Sequence, residues 1–155
     1  MNDFGKHGRK GRMADAKISK NFTWSEFTKS DVATRCRIMN AITDRDVRDN
    51  IIALVENVLQ PLRDAWGQPM FINSGYRCKE LNAKVGGVAT SQHCKGQAAD
   101  VGCSDPLALA RLLLKMDLDF DQAIVYPSFL HISHKDEDKN RRQLLYDKSY
   151  EGEKV

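Results

Sequence analysis

The sequence predicts an α+β fold, with helices packed on one side of a small, mostly antiparallel sheet. Three observations carry this expectation. Apolar residues recur at spacings of three and four from residue 44 to residue 65, as on one face of a helix. Short β-prone runs, "MFINS", "AADVGC", "DQAIVY" and "FLHIS", alternate with loops and helical stretches. The last two are separated only by "PS", the spacing of a hairpin or tight corner. The order α, β, α, β, α, β, β in 155 residues suits one domain with one core.

Residues 1–17 are polar, rich in glycine and lysine, and without periodicity, so they read as a flexible basic tail before a single domain over 18–155. Lys6, Arg9, Lys10 and Arg12 stand there with no acid among them, and much of the net charge of +3 sits in that stretch. The remainder is close to neutral, which argues against a broad or specific nucleic-acid surface. In "NFTWSEFTKS", Phe22, Trp24 and Phe27 alternate with polar residues. Thr23 or Ser25 is placed to cap a short helix lying over the domain edge.

The main helix spans 44–65, with Val47, Ile51, Leu54, Val55, Val58, Leu59 and Leu62 on its apolar face. Asp44 or Asp46 caps its start, Pro61 is placed to kink its last turn, and Gly67 and Pro69 stop it. "MFINS" follows as a strand, then a glycine turn, a short helix over Cys78–Val85 and a loop opened by Gly86 and Gly87. "AADVGC" is the second strand. Pro106 opens the next helix with Ser104 as a capping residue, and "RRQLLYD" adds a last strand or helical turn.

Several function classes fall away. No apolar run approaches the roughly 20 residues that span a bilayer. No apolar h-region follows the basic N-terminus, so no secretory signal is read. The expectation is synthesis in the cytoplasm. If the chain is a lysis enzyme, it acts on the wall only after release. Cys36, Cys78, Cys94 and Cys103 lack CxxC spacing, so a thiolate zinc knuckle is not expected, and four reduced, mostly buried thiols are. A monomer is the expected state.

The chemistry concentrates in "SQHCKGQAAD", where His93 precedes Asp100 by seven positions, and in "FLHIS", which holds His131. A lone histidine in an apolar strand reads first as a core residue bonded to backbone. Two histidines and an aspartate together are the ligand types of a catalytic zinc, which keeps a fourth position for water and activates it. Strand alternation about a "PS" turn puts Gln122, Ile124, Tyr126, Phe129, His131 and Ser133 on one face. His134 falls on the other face, where it reads as a surface residue.

"INSGYR", "LN", "VGG", "SQH", "AADV" and "FLHIS", in this order, resemble the zinc D-alanyl-D-alanine peptidases, in particular the small carboxypeptidase-like branch of phages and bacteria. The similarity covers roughly residues 18–135. It implies the fold shared with Hedgehog domains, zinc held by His93, Asp100 and His131, and a peptidoglycan peptide as substrate. Arg77 of "SGYR" would bind a substrate carboxylate or the developing oxyanion, a task suited to a permanently charged planar fork. A surface pair with Glu80 is its alternative. Ser74 and Gln92 would be supporting or substrate contacts, and Gly75, Gly87 and Gly96 turn residues. The resemblance breaks at one position. An acid is expected three residues before the last zinc histidine, and Ser128 stands there. Tyr126 and Asp121 are the nearest groups able to donate or take a proton, with Glu80 and Asp119 further off. The resemblance implies a cell-wall peptidase acting at a D-amino-acid bond. The missing acid implies the alternative, an inactive zinc module that binds peptidoglycan or a protein, as Hedgehog domains show a zinc site can outlive its chemistry.

Overall fold

The computed structural model describes residues 16–136 and 138–155, so the basic stretch from Lys6 to Arg12 lies outside the described residues. Lys17 already belongs to strand β1 (Lys17–Ser19), which pairs with β2 (Phe22–Thr23) as a two-stranded antiparallel ribbon. Helix α1 (Trp24–Thr28) follows, with Thr23 at its N-cap and Glu26 closing a capping box. This segment is more than an edge element, because Phe22 and Phe27 are fully buried in the core. Helix α2 (Asp31–Arg35), capped by Ser30, is too short to have shown a period in the sequence.

The main helix runs over 45–66 without a break. It comprises α3 (Arg45–Leu54), a π-helical turn (Val55–Leu59) and α4 (Gln60–Trp66). Asp44 caps it through the Asp46 N–H, and Gly67, at φ 69°, ends it. Pro61 sits at the start of α4, directly after the wide turn. A proline in a regular helix lacks a donor and crowds the preceding carbonyl, so a locally widened turn at this point lets the helix continue. Helix α5 (Lys79–Lys84) and helix α6 (Pro106–Lys115) complete the set. Asp105 rather than Ser104 caps α6, accepting from the Ala108 N–H at 3.0 Å.

Strands β3 (Phe71–Ser74), β4 (Ala98–Gly102), β5 (Gln122–Val125), β6 (Phe129–Ser133) and β7 (Gln143–Tyr146) form one sheet in the order β3-β4-β6-β5-β7. Every neighbouring pair is antiparallel except β5 and β7. Alternation divides the sheet cleanly. Ala99, Val101, Ala123, Val125, Leu130 and Ile132 are buried and join Ile51, Leu54, Leu109 and Leu113 from the helices in one core. Full burial of each large aliphatic side chain contributes about 1.5–3 kcal/mol. Asp100, Ile124, Tyr126 and His131 fall on the opposite face, which is left open for a site.

Two expectations are corrected. His134 is not a surface residue: it retains 3% of its exposure, because the chain turns inward after β6 and its N–H bonds the Gln97 carbonyl at 2.9 Å. The four cysteines are free thiols, but Cys36 is exposed and Cys78, Cys94 and Cys103 are half-buried, since none lies on the core face of a central element.

Candidate metal centre

The open face carries a row of paired residues. Across the sheet Ser74 faces Asp100, Asp100 faces His131, and His131 faces Ile124. Two of the three sequence-predicted ligands are therefore direct cross-strand neighbours. Ser74 enters this row through an irregularity in β3. Ile72 pairs with Val101 and Ser74 with Asp100, so β3 advances two residues while β4 moves one. Such a bulge re-aims a side chain.

His93 arrives from outside the sheet, on a single 3₁₀ turn (Gln92–Lys95). Ser91 caps that turn, its Oγ accepting from the His93 N–H at 3.2 Å. Gly96 ends it at φ 72°, where a Cβ would stand 2.6 Å from the Val47 carbonyl of α3. Only glycine meets both demands, the left-handed backbone and the close approach. The turn is thus pinned between the main helix and β4.

His93, Asp100 and His131 each bring one ligand-type atom within 4.8 Å of the other two. His93 Nε2 is 3.4 Å and His131 Nδ1 2.8 Å from Asp100 Oδ1. Two zinc–ligand bonds of about 2.0–2.1 Å at the tetrahedral angle set ligand atoms about 3.4 Å apart, which the His93–Asp100 pair meets, while His131 and Asp100 stand at hydrogen-bond distance. The protonation pattern fits as well. His93 Nδ1 lies 2.7 Å from the Gly75 carbonyl, which only accepts, so Nδ1 carries the proton and Nε2 keeps its lone pair for a metal. Gly75 holds that carbonyl in place because the chain passes Phe27 so closely that a Cβ would come within 2.7 Å of its ring. Burial works to raise the Asp100 pKa, but the hydrogen bond from His131 and the His93 ring beside it outweigh burial and hold the carboxyl well below the ordinary range. Asp100 is therefore an anion at any working pH, as a metal ligand must be.

The remaining predicted residues gather around this set. Arg77 donates from Nη2 to Ser91 Oγ at 3.4 Å rather than pairing with Glu80, and its buried Nε has no hydrogen-bond partner among the described residues. Its backbone N–H bonds the His93 carbonyl at 3.2 Å, which ties the "SGYR" loop to the 3₁₀ turn. Tyr126 stacks on Phe129 with ring centres 4.2 Å apart. Burial raises its phenol pKa, Asp147 and Asp100 raise it further, and Arg77 opposes them, so it remains a protonated donor that senses the site. Ser128 is exposed at the hairpin tip.

Asp121 is fully buried and committed elsewhere. Arg141 grips it with two bonds, Nε to Oδ1 at 2.9 Å and Nη2 to Oδ2 at 2.8 Å, and Gln92 Nε2 donates to Oδ2 at 3.0 Å. Burial pushes its pKa up, but the Arg141 and Gln92 bonds prevail and leave it at about 2. This is the setting of an anchor for Gln92 rather than of a proton acceptor. Asp119 is similarly engaged, by Asn140 and Arg142.

Sequence reasoning missed Asn40, Ser91 and Arg141. Asn40 is buried and bonds the carbonyls of Thr28 and Tyr76 and the N–H of Cys78, so it clamps the loop carrying Arg77. No local pattern marks it, for its partners are 12 to 38 positions away. Ser91, two residues before His93, carried a readable signal as a hydroxyl cap.

With this geometry in view, similarity to known proteins takes on meaning. The chain is 34% identical over 83 residues to a zinc D-Ala-D-Ala carboxypeptidase of Streptomyces albus G. That alignment covers 53% of this chain and 31% of the relative, so the chain spans about a third of the length of the curated relative it matches. Residues 20–133, which include the whole ligand set and the Arg77 loop, match Peptidase M15, and the chain belongs to that family.

Proposed function

We propose that this chain is a zinc metallopeptidase of the bacterial cell wall, hydrolysing peptidoglycan stem peptides or cross-links at a bond to a D-amino acid, in lysis or remodelling. One observation carries the reading. His93, Asp100 and His131 converge at metal-ligand spacing on the open face of the sheet, with His93 locked by Gly75 in the ligating tautomer. The named relative, a zinc D-Ala-D-Ala carboxypeptidase, supports both the metal and the substrate class.

Bound zinc would supply Lewis-acid chemistry, polarising the scissile carbonyl and activating water. The chain's own residues do the rest. Arg77 has an unspent buried donor and a permanent charge, and it holds the C-terminal carboxylate of the peptide. Tyr126 presents its phenol O–H toward developing negative charge. Gln92, fixed by Asp121, leaves its carbonyl oxygen to accept from a substrate amide.

A second reading, an inactive module that binds wall peptides, draws on Ser128, exposed where an acid would complete the proton relay. Two measurements decide. Metal analysis of protein purified without chelator is expected to give about one zinc per chain, lost in His93→Ala. Mass spectrometry of purified peptidoglycan after digestion is expected to show new peptide termini with the wild type and none with His93→Ala. A zinc-loaded wild type that releases nothing would overturn the enzyme reading and leave the binding module.

A further inference from the structure

A polar cleft of about 470 Å³ opens beside His131, and its wall includes Gln92, Lys95, Gln97, Gln122, Lys135 and Arg141. Three of these are cationic, and none of the cleft's described lining residues is acidic. Asp121 lies behind the wall with no exposure, and Arg141 spends two donors on it. One positive charge is thereby neutralised. Lys95 is exposed, and Lys135, although its Nζ stands 3.9 Å from Asp121 Oδ2, keeps 37% of its side-chain exposure, so three cations against one carboxylate leave a net positive cleft.

Arg77 does not line the cleft, although Ser91, which accepts from Arg77 Nη2 at 3.4 Å, does. Ile124 pairs with His131, and Gln122 and Tyr126 lie two residues to either side of Ile124 on the same face. Tyr126, which feels both Arg77 and Asp100, marks one side of the metal set. Gln122, a wall of the cleft, marks the other. Two strand residues span about 7 Å, and an extended peptide advances about 3.3–3.6 Å per residue. A peptide held by Arg77 at one end and crossing His131 therefore enters this cleft within two residues of the scissile bond.

We propose that the Lys95–Lys135 cleft is a second anion subsite, selecting peptides that carry a carboxylate side chain on the far side of the scissile bond from Arg77. This rests on the peptide-hydrolase reading of the His93–Asp100–His131 site. It assigns a specificity role to two lysines that do not touch the metal set.

The test uses two peptides, N-acetyl-Glu-D-Ala-D-Ala and N-acetyl-Gln-D-Ala-D-Ala, with the zinc-loaded full chain. Binding is followed by NMR titration of the Gln92 and Gln97 side-chain amides, and hydrolysis separately by amine release. The glutamate peptide is expected to bind roughly two- to fivefold more tightly, as for partly exposed ion pairs. The preference is expected to shrink as salt rises and to vanish in Lys95→Gln/Lys135→Gln with zinc content unchanged. Equal affinities in the wild type, a preference that survives in the double variant, or no binding of either peptide would overturn the subsite. Binding preference without hydrolysis of either peptide would support the subsite while counting against the hydrolase reading.

Discussion

His93 depends on a single carbonyl. The Gly75 oxygen at 2.7 Å decides which nitrogen of the ring carries the proton, and so which one is free to bind a metal. Asp100 stands on the opposite footing: the bond from His131 and the neighbouring His93 ring outweigh its burial and keep it ionised. Arg77 and Tyr126 complete the set as donors without a share in the ligation. Arg77→Ala is expected to lower kcat/KM about 10²-fold or more, with Arg77→Lys recovering only part, because an ammonium cannot reproduce the planar fork. Tyr126→Phe keeps the stack on Phe129 and removes only the O–H, so it is expected to lower kcat with little change in KM. Zinc content, measured in parallel, is expected to match the wild type in all three variants. A loss of zinc would mean that these residues hold the site together rather than act on substrate.

At the scale of elements, the site is a junction of four pieces. β4 and β6 supply Asp100 and His131 as opposed residues, the 3₁₀ turn supplies His93, and the loop after β3 supplies Arg77. Asn40 and Gly96 hold the last two in place. Asn40→Ala leaves buried backbone groups of Tyr76 and Cys78 without a partner, at a cost of about 1–3 kcal/mol for each group left unpaired. Gly96→Ala forces a side chain into a left-handed backbone against the Val47 carbonyl. Strain at such positions costs on the order of 1–3 kcal/mol before the clash is counted. Both variants are expected to melt several degrees below the wild type. Under the proposed function, Gly96→Ala is expected to weaken zinc retention and Asn40→Ala to raise KM, since one displaces His93 and the other the loop carrying Arg77. Denaturation curves with metal assays on the folded protein separate these effects.

For the whole molecule, the buried Asp121–Arg141 pair ties the segment before β5 to the stretch leading into β7. Its sign under pH is fixed by the depressed carboxyl. The folded pKa of about 2 lies below the unfolded value near 3.9, so the pair stabilises the fold above about pH 4. That contribution is lost as pH falls toward 2. Thermal melts between pH 5 and pH 2 are expected to drop more steeply for the wild type than for Asp121→Asn. Parallel slopes would show that the pair does not couple to folding. Arg141→Ala at neutral pH strands a buried carboxylate and is expected to cost about 3–5 kcal/mol, toward the lower end because Lys135 stands 3.9 Å away.

Helical and strand periods were legible in the sequence because local burial writes them: the apolar face of 45–66, the alternation in "FLHIS", and the two-residue corner that sets Ile124 opposite His131. The family resemblance carried by "SGYR", "SQH", "AADV" and "FLHIS" pointed to His93, Asp100, His131 and Arg77, which spacing by itself did not. What the tertiary structure alone decided rests on contacts between distant segments. Asn40 reaches loops 12 and 36 residues away, Asp121 draws its guanidinium from 20 residues on, and the cationic cleft assembles Lys95 with Lys135 and Arg141. His134 turns inward because Gln97, just before β4, offers its N–H a carbonyl. Periodicity reports which way a residue faces within its own element. Only the packing of elements determines which charges and lone pairs meet.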